Sequence, residues 1–477
     1  MPNKKKSKKK RNNPGLNEEL EETLKKADVK DIERLLGIGN SFQQREMYDA
    51  AEKIFTRIVE LDPHHEEAWF TKGVVLGHLG KFNEALTCFD RALKINPNNP
   101  RVWYNKGVAL GNLGKYKEEI AYYDKTLFID PCFVGAWHNK GGTLTTLGKY
   151  DEAIECYDMI LKIDPNNVDA WYNKGVSLGK LCKHDEAIAC YGKALSMNPF
   201  DAEAWSAKGI ALGALNKHDE AIGCYDMALS IDHDNANVWS NKGVSLRCLG
   251  NHKEEIACYD KALAIDPVHT GAWYNKGVAL GKLGNHKEEI ECYDQALAIN
   301  PDFIEAWHEK GETLAFLGKH NEAIKCFNKV LQINPVDVDT WYNKGVSLGE
   351  LCKHDEAILC YDMALKIDPD DGGAWLGKGV ALIILGKLDE AIECYDDALK
   401  IDPHFAEAWF CKGMVLGKLG RRDEEIECYD NAIRINPNDA FVWYNKGTAL
   451  ESLGRTKEAA ACFNMVRKLN PELYDAT

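Results

Sequence analysis

Apolar and polar positions along this chain recur with a period of 34 residues. Tryptophan marks the phase: Trp69, Trp103, Trp137, Trp171, Trp205, Trp239, Trp273, Trp307, Trp341, Trp375, Trp409 and Trp443 are all twelve in the chain. Counting from each Trp, glycine stands four residues on in every copy (Gly73, Gly107, Gly141 and onward to Gly447) and leucine seven on (Leu76, Leu110, Leu144). In nine copies a second glycine stands eleven on, beginning with Gly80, Gly114 and Gly148. Apolar residues at the Trp and at seven and ten beyond it share one face of a helix, and a glycine just past that stripe closes a helix in a left-handed cap. This predicts a first helix, A. The other half of the period has its own stripe, in the first copy Phe82, Ala85, Leu86, Phe89, Ala92, Leu93 and Ile95, ended by Pro97. This predicts a second helix, B. His233 replaces that proline once. Two antiparallel helices of about 14 residues cannot bury their apolar faces alone, so neighbouring copies must cover them. The pattern therefore predicts an all-α solenoid of stacked helix pairs.

Trp, Gly, Leu, Ala, Tyr or Phe, Ala and Pro at these offsets resemble the tetratricopeptide repeat (TPR), over roughly residues 30 to 477. A weak thirteenth copy precedes the first Trp, with Leu35, Gly39, Phe42, Tyr48, Ala51, Phe55 and Pro63 at matching places. The wording AWYNKGVALGKLG around Trp273 and DEAIECYDDALKIDP around Cys394 is most similar to long archaeal-type TPR arrays. The resemblance implies a right-handed superhelix with helices A along its concave wall. It divides the chain into a basic disordered tail (1–15), an amino-terminal helix with a degenerate capping repeat (16–65) and twelve tandem repeats (66–477).

Composition narrows the function. A formal charge of −15 weighs against general nucleic-acid affinity, so any basic function is local. Lys4, Lys5, Lys6, Lys8, Lys9, Lys10 and Arg11 are the one basic cluster; with nothing apolar to bury, they read as a solvated extension. No apolar run follows them, and no segment reaches the roughly 18 to 20 apolar residues of a membrane span, so a cytoplasmic protein is expected. Eleven of the sixteen cysteines form one column nineteen after the Trp, from Cys88 to Cys462. Stacked helices lie about 8 to 10 Å apart, too far for disulfides between successive members, so the column reads as helix packing. Cys182 and Cys352 replace the cap glycine in identical Leu-Cys-Lys-His-Asp-Glu-Ala stretches, half of a metal site with no second half in the repeat. No metal, cofactor or catalytic residue is assigned. The chain shows no phosphate loop and no paired acid/base site, and His184, His218, His252 and His286 fall at solvated turns between helices, so a non-enzymatic protein is expected.

Binding is expected on helix A. The residue after the Trp is mostly aromatic or His, with Tyr104, Tyr172, Tyr274, Tyr342 and Tyr444 prominent; the fifth after it is mostly aliphatic, as at Val108, Val176 and Val278. Between them stands asparagine, at Asn105, Asn139, Asn173, Asn241, Asn275, Asn343 and Asn445. An amide offers donor and acceptor, so such a row suits the main chain of an extended peptide. The column resembles the asparagine ladder in the TPR superhelix of O-linked N-acetylglucosamine transferase, which holds peptide backbones. The competing reading is that each asparagine bonds a neighbouring helix and stiffens the stack. Thr71, Ala207, Glu309, Gly377 and Cys411 interrupt the column.

Two departures from the family pattern need physical partners. Lysine three after the Trp is invariant from Lys72 to Lys446, and is expected to lay its stem on the interface and its head on a carboxylate column at Asp90, Asp124, Asp158, Asp226 and Asp260. The first alanine of helix B, expected to pack against the helix A glycine, becomes Glu119, Glu255, Glu289 and Glu425, which should turn outward or meet a lysine. Residues 171 to 190 and 341 to 360 are nearly identical and five repeats apart, reading as a duplicated block.

Together these features predict a non-enzymatic scaffold that holds an extended peptide or partner segment in the concave groove of a TPR superhelix. The alternatives are a self-assembling solenoid, joined through an uncapped carboxyl-terminal end, and an RNA-associated adaptor using the basic tail.

Overall fold

The computed structural model describes residues 14–470, with side chains from Leu20 onward; the basic residues 4–11 and the final residues 471–477 lie outside the described part. Among the described residues there are twenty-seven α-helices, one 3-10 turn and no strand. The chain divides into two compact units, Met1–His233 and Asp234–Thr477. The first begins with a helix at Pro14–Lys26, a turn at Val29–Asp31 and a hairpin of Ile32–Gln44 and Tyr48–Leu61. Five A/B pairs follow, from Glu66–His78 with Phe82–Ile95 to Ala202–Ala214 with His218–Ile231. The second unit holds seven pairs, from Ala236–Cys248 with His252–Ile265 to Ala440–Ser452 with Thr456–Leu469. The pairs are numbered here 1 to 12 in the order of their Trp. Each unit is an all-α stack of tandem helix pairs, as the 34-residue period predicts.

Local chemistry sets both ends of helix A. Asn99, Asn167, Asp201, Asp337 and Asp371 stand just before it and accept a backbone N–H from its first turn, satisfying a donor with no partner inside the helix. At the far end the glycine eleven after the Trp adopts φ between 72° and 77°, and the next amide closes onto the leucine carbonyl, as Lys81 N–H donates to Leu76 at 2.9 Å. Cys182, Asn216 and Cys352 take the same left-handed turn at φ 58° without being glycine.

Packing within a pair adds one contact to the expected ones. The helix A glycine four after the Trp accommodates the aromatic ring one turn beyond the first alanine of helix B. A Cβ on Gly107 would meet Tyr123 at 2.7 Å, and one on Gly277 would meet Tyr293 at 2.7 Å. Rings such as Tyr123, Tyr259, Tyr293 and Tyr395 are thereby almost fully buried. The same notch, Gly39 under Phe55, recurs in the Ile32–Gln44 hairpin. Leu20, Leu24 and Ala27 of the leading segment join that hairpin's core.

Successive repeats are tied at the tryptophan. In eleven copies the indole N–H donates to the carbonyl of the proline six residues earlier, at 2.7 to 3.1 Å. The proline thus stops helix B and supplies the acceptor that fixes the next helix A. Most of the indoles are half-buried rather than enclosed; Trp239, which has His233 at the proline position, is buried. The invariant lysines lie over these rings at 4.9 to 5.9 Å from the centroid. Lys106, Lys140, Lys174 and Lys276 reach Asp90, Asp124, Asp158 and Asp260 at 2.5 to 2.6 Å, as the sequence predicts. The cysteine column is buried, no disulfide joins any of the sixteen cysteines, and burial pushes the thiols of Cys88, Cys156, Cys292, Cys326 and Cys394 up to about 11. Among the described residues no helix is long and apolar enough to cross a membrane.

Candidate peptide-binding face

Residues one, five and nine after the Trp run along one line of helix A, with the asparagine column beside it. The ring after the Trp is half-buried because it leans on the helix B aromatic of its own repeat. Tyr104, Tyr172, Tyr274 and Tyr342 stand 5.8 to 6.0 Å from Tyr123, Tyr191, Tyr293 and Tyr361, and Tyr444 stands 6.0 Å from Phe463. Phe133 and Phe303 of the following repeats close on Tyr104 and Tyr274 at 5.0 Å. Burial raises the hydroxyl pKa of Tyr104, Tyr172, Tyr274 and Tyr342. Four residues further on, Ile210, Val346, Val380 and Met414 are exposed. Between the first and second helices A lies a pocket of about 250 Å³ lined by Val74, His78, Phe89, Asn105 and Val108.

The asparagines are half-buried, and six of the seven are already bonded. Asn105 and Asn445 donate to carbonyls of their own helix, Arg101 and Phe441, at 2.8 Å. Asn139 donates to the Tyr104 hydroxyl at 2.9 Å and Asn173 meets His138 Nε2 at 3.3 Å. Asn275 accepts from Arg247 at 3.1 Å, Asn343 donates to Glu312 at 2.8 Å, and Asn241 sits half-buried at the same place. Four amides are therefore oriented by the preceding repeat. In each donating case the bond engages Nδ2, and the carbonyl oxygen is a separate acceptor.

Two polar arrangements on this face were not foreseen. In repeats 8 and 9, His308 Nδ1 meets the Thr340 hydroxyl at 2.8 Å and its Nε2 meets Glu312 at 3.2 Å, while Asn343 holds the same carboxylate. Hydrogen bonding to Glu312 raises the His308 pKa, and the reciprocal bond lowers that of Glu312. The other concerns Glu119, Glu255, Glu289 and Glu425, expected to face outward or meet lysine. All four are buried. Each accepts from the tyrosine four residues on, at 2.9 to 3.3 Å. Three also meet a base three residues back: His252 at 2.9 Å, His286 at 2.8 Å and Arg422 at 2.7 Å. Room for the carboxyl comes from helix A, where a Cβ on Gly111, Gly281 or Gly417 would meet the carboxylate at 2.5 Å. The histidines that begin helix B are thus packed side chains rather than solvated turn residues. The three-residue and four-residue spacing of base, Glu and Tyr was the signal that could have revealed this set. Among the described residues, no group of three or more His, Cys, Asp or Glu is placed to hold a metal ion.

This geometry defines a class, the scaffold of stacked helical repeats. The chain belongs to the tetratricopeptide repeat family. Family matches described as "Tetratricopeptide repeat" cover residues 134–235, 271–371, 360–393, 428–461, 100–131, 236–269 and 406–439, and matches described as "TPR repeat" cover 76–114 and 379–420. Members bind protein or peptide partners, and the array is a protein–protein interaction scaffold. No curated protein matches the chain. Among solved structures it is similar to YrrB, a TPR protein with an unusual peptide-binding site, at 26% identity over 39% of this chain and 97% of that one, with a TM-score of 0.36. It is also similar to a chain of the APC/C hetero-tetramer Cut9–Hcn1, at 16% identity over 92% and 94% with a TM-score of 0.39. For MamA the figures are 24% identity, 34% and 94% coverage, and a TM-score of 0.33.

Proposed function

We propose that the array is a non-enzymatic scaffold that holds an extended segment of a partner protein along helix A. The observation that carries this reading is the ordered column of half-buried amides, Asn139, Asn173, Asn275 and Asn343, each held by the preceding repeat. A pre-oriented amide loses little entropy when it bonds a peptide main chain, and its two-sided chemistry accepts any sequence. Exposed aliphatic side chains such as Val346 and Val380, alternating with the tyrosine rings, offer apolar contact to the partner's side chains. The test is partner capture by wild type and by a variant with Asn173, Asn241, Asn275 and Asn343 all changed to Ala, matched for helicity and melting. Loss of captured protein supports the ladder. Equal recovery means the asparagines only stiffen the stack.

A further inference from the structure

The four buried glutamates are not equivalent. In repeats 6, 7 and 11 the Glu Oε1 takes the tyrosine hydroxyl and Oε2 takes the base three residues back: His252, His286 or Arg422. In repeat 2 the tyrosine contact is intact, with Tyr123 donating to Glu119 Oε1 at 2.9 Å, but the residue three back is Tyr116. Glu119 is 6% exposed and its Oε2 has no hydrogen-bond partner. A buried carboxylate oxygen in that condition carries an uncompensated desolvation cost. Burial raises the Glu119 pKa, with the Tyr123 and Thr143 hydroxyls pulling it part of the way back.

The space beside this carboxylate is open. Glu119, Tyr116, Val108, Asn139 and Thr143 line a pocket of about 360 Å³ between the helices A of repeats 2 and 3. Where most repeats carry an aliphatic side chain five after the Trp, repeat 3 has Gly142, and a Cβ there would meet nothing within 4 Å. Five repeats further along, the corresponding place is filled from within. Glu312 replaces Gly142, and Phe316 packs on His286 at 5.1 Å. The missing base leaves Glu119 Oε2 without its partner, and the missing side chain at Gly142 leaves the space opposite unfilled.

We propose that the Glu119 pocket receives the side chain of a lysine or arginine from the bound segment, its cation taking the place that His252, His286 and Arg422 fill in the sister repeats. This rests on the peptide reading of helix A and sharpens it: the partner carries a basic residue at the point that reaches repeats 2 and 3. Tyr116, 38% exposed, turns its ring aside to admit the side chain and offers its face to the cation. The chain's own Lys4 to Arg11 carries the same chemistry, so the source is a question for experiment.

Saturation-transfer NMR on the full chain, with n-butylammonium as probe and 1-butanol as neutral counterpart, tests the pocket. Wild type gives a saturable butylammonium signal that butanol lacks. Tyr116→His supplies the base from within, as in repeats 6 and 7, and reduces the signal to the butanol level. Arg422→Tyr vacates the equivalent place beside Glu425 and raises the signal above wild type, so a folding defect in one variant leaves the other informative. If wild type is silent, the full chain with Lys4, Lys5, Lys6, Lys8, Lys9, Lys10 and Arg11 changed to Gln is measured; a signal appearing only there supports the pocket and assigns the chain's own basic segment as its occupant. Silence in both chains, or equal signals in wild type and Tyr116→His, overturns the proposal. The outcome is separable from the asparagine test: a specific butylammonium signal together with unchanged partner capture by the asparagine variant retires the ladder and keeps the pocket.

Discussion

At the scale of single residues, Glu289 and Glu425 show that a charge can occupy a repeat core when three neighbours are matched to it. The matched set is a small residue on helix A, a base at the start of helix B and a tyrosine four residues beyond the carboxylate. Repeat 4 has all three, Gly179, His184 and Tyr191, around Ala187, and the buried His184 Nδ1 has no partner. Repeat 8 has His320 but carries Ala315 and Phe327, which supply neither space nor hydroxyl. Ala187→Glu is therefore expected to cost about 1 kcal/mol or less, whereas Ala323→Glu, burying an ill-matched charge, is expected to cost about 3 to 5 kcal/mol by chemical denaturation. The left-handed turns give a second contrast. Cys182→Gly relieves a backbone conformation disfavoured for any residue with a Cβ and should stabilise by about 0.5 to 1 kcal/mol. Cys248→Gly, at an exposed helical position, should destabilise by a similar amount.

At the scale of elements, the sequence placed both helices, their turns and the lysine–aspartate pairs, because each depends on spacing within or between adjacent helices. It failed where the partner is chosen by depth rather than by period. The period put Glu119 in a packing column, but its charge argued for an outward turn, and the proline carbonyl that holds each indole is a backbone group with no sequence signal of its own. The site columns were readable as columns, but their engagement by Tyr104, His138, Arg247 and Glu312 depended on residues that vary between repeats. The His308–Glu312–Asn343 group joins two helices A and makes a pH-dependent link. His308 is raised above its ordinary value of 6.5, so its contribution is complete below that value and is lost as pH rises through the raised pKa. Glu312 is lowered from 4.5, so its contribution is present above that value and is lost as pH falls through the lowered pKa. Both partners are partly exposed, which limits the pair to about 0.5 to 1 kcal/mol. Melting of His308→Gln against wild type should show a deficit near pH 6 that fades above the raised histidine pKa.

At the scale of the whole molecule, stability in each unit is a sum of hairpins and the interfaces joining them, since each hairpin contacts its neighbours and little else. The Trp–Pro bond belongs to both terms. Trp341→Phe keeps most of the apolar contact and loses the donor to Pro335, and should cost about 1 kcal/mol. Trp341→Ala removes the ring as well; because that ring is half-buried, the cost should lie near 3 kcal/mol, the lower end for such truncations. Denaturant curves for the two variants separate the bond from the packing. The same bond has an optical consequence. Eleven fluorophores share one environment, a carbonyl on the ring nitrogen and an ammonium over the face, so their emission tallies the hairpins still formed. Trp239, buried where the other eleven are half-exposed, should shine at its own wavelength and report the start of the second unit separately.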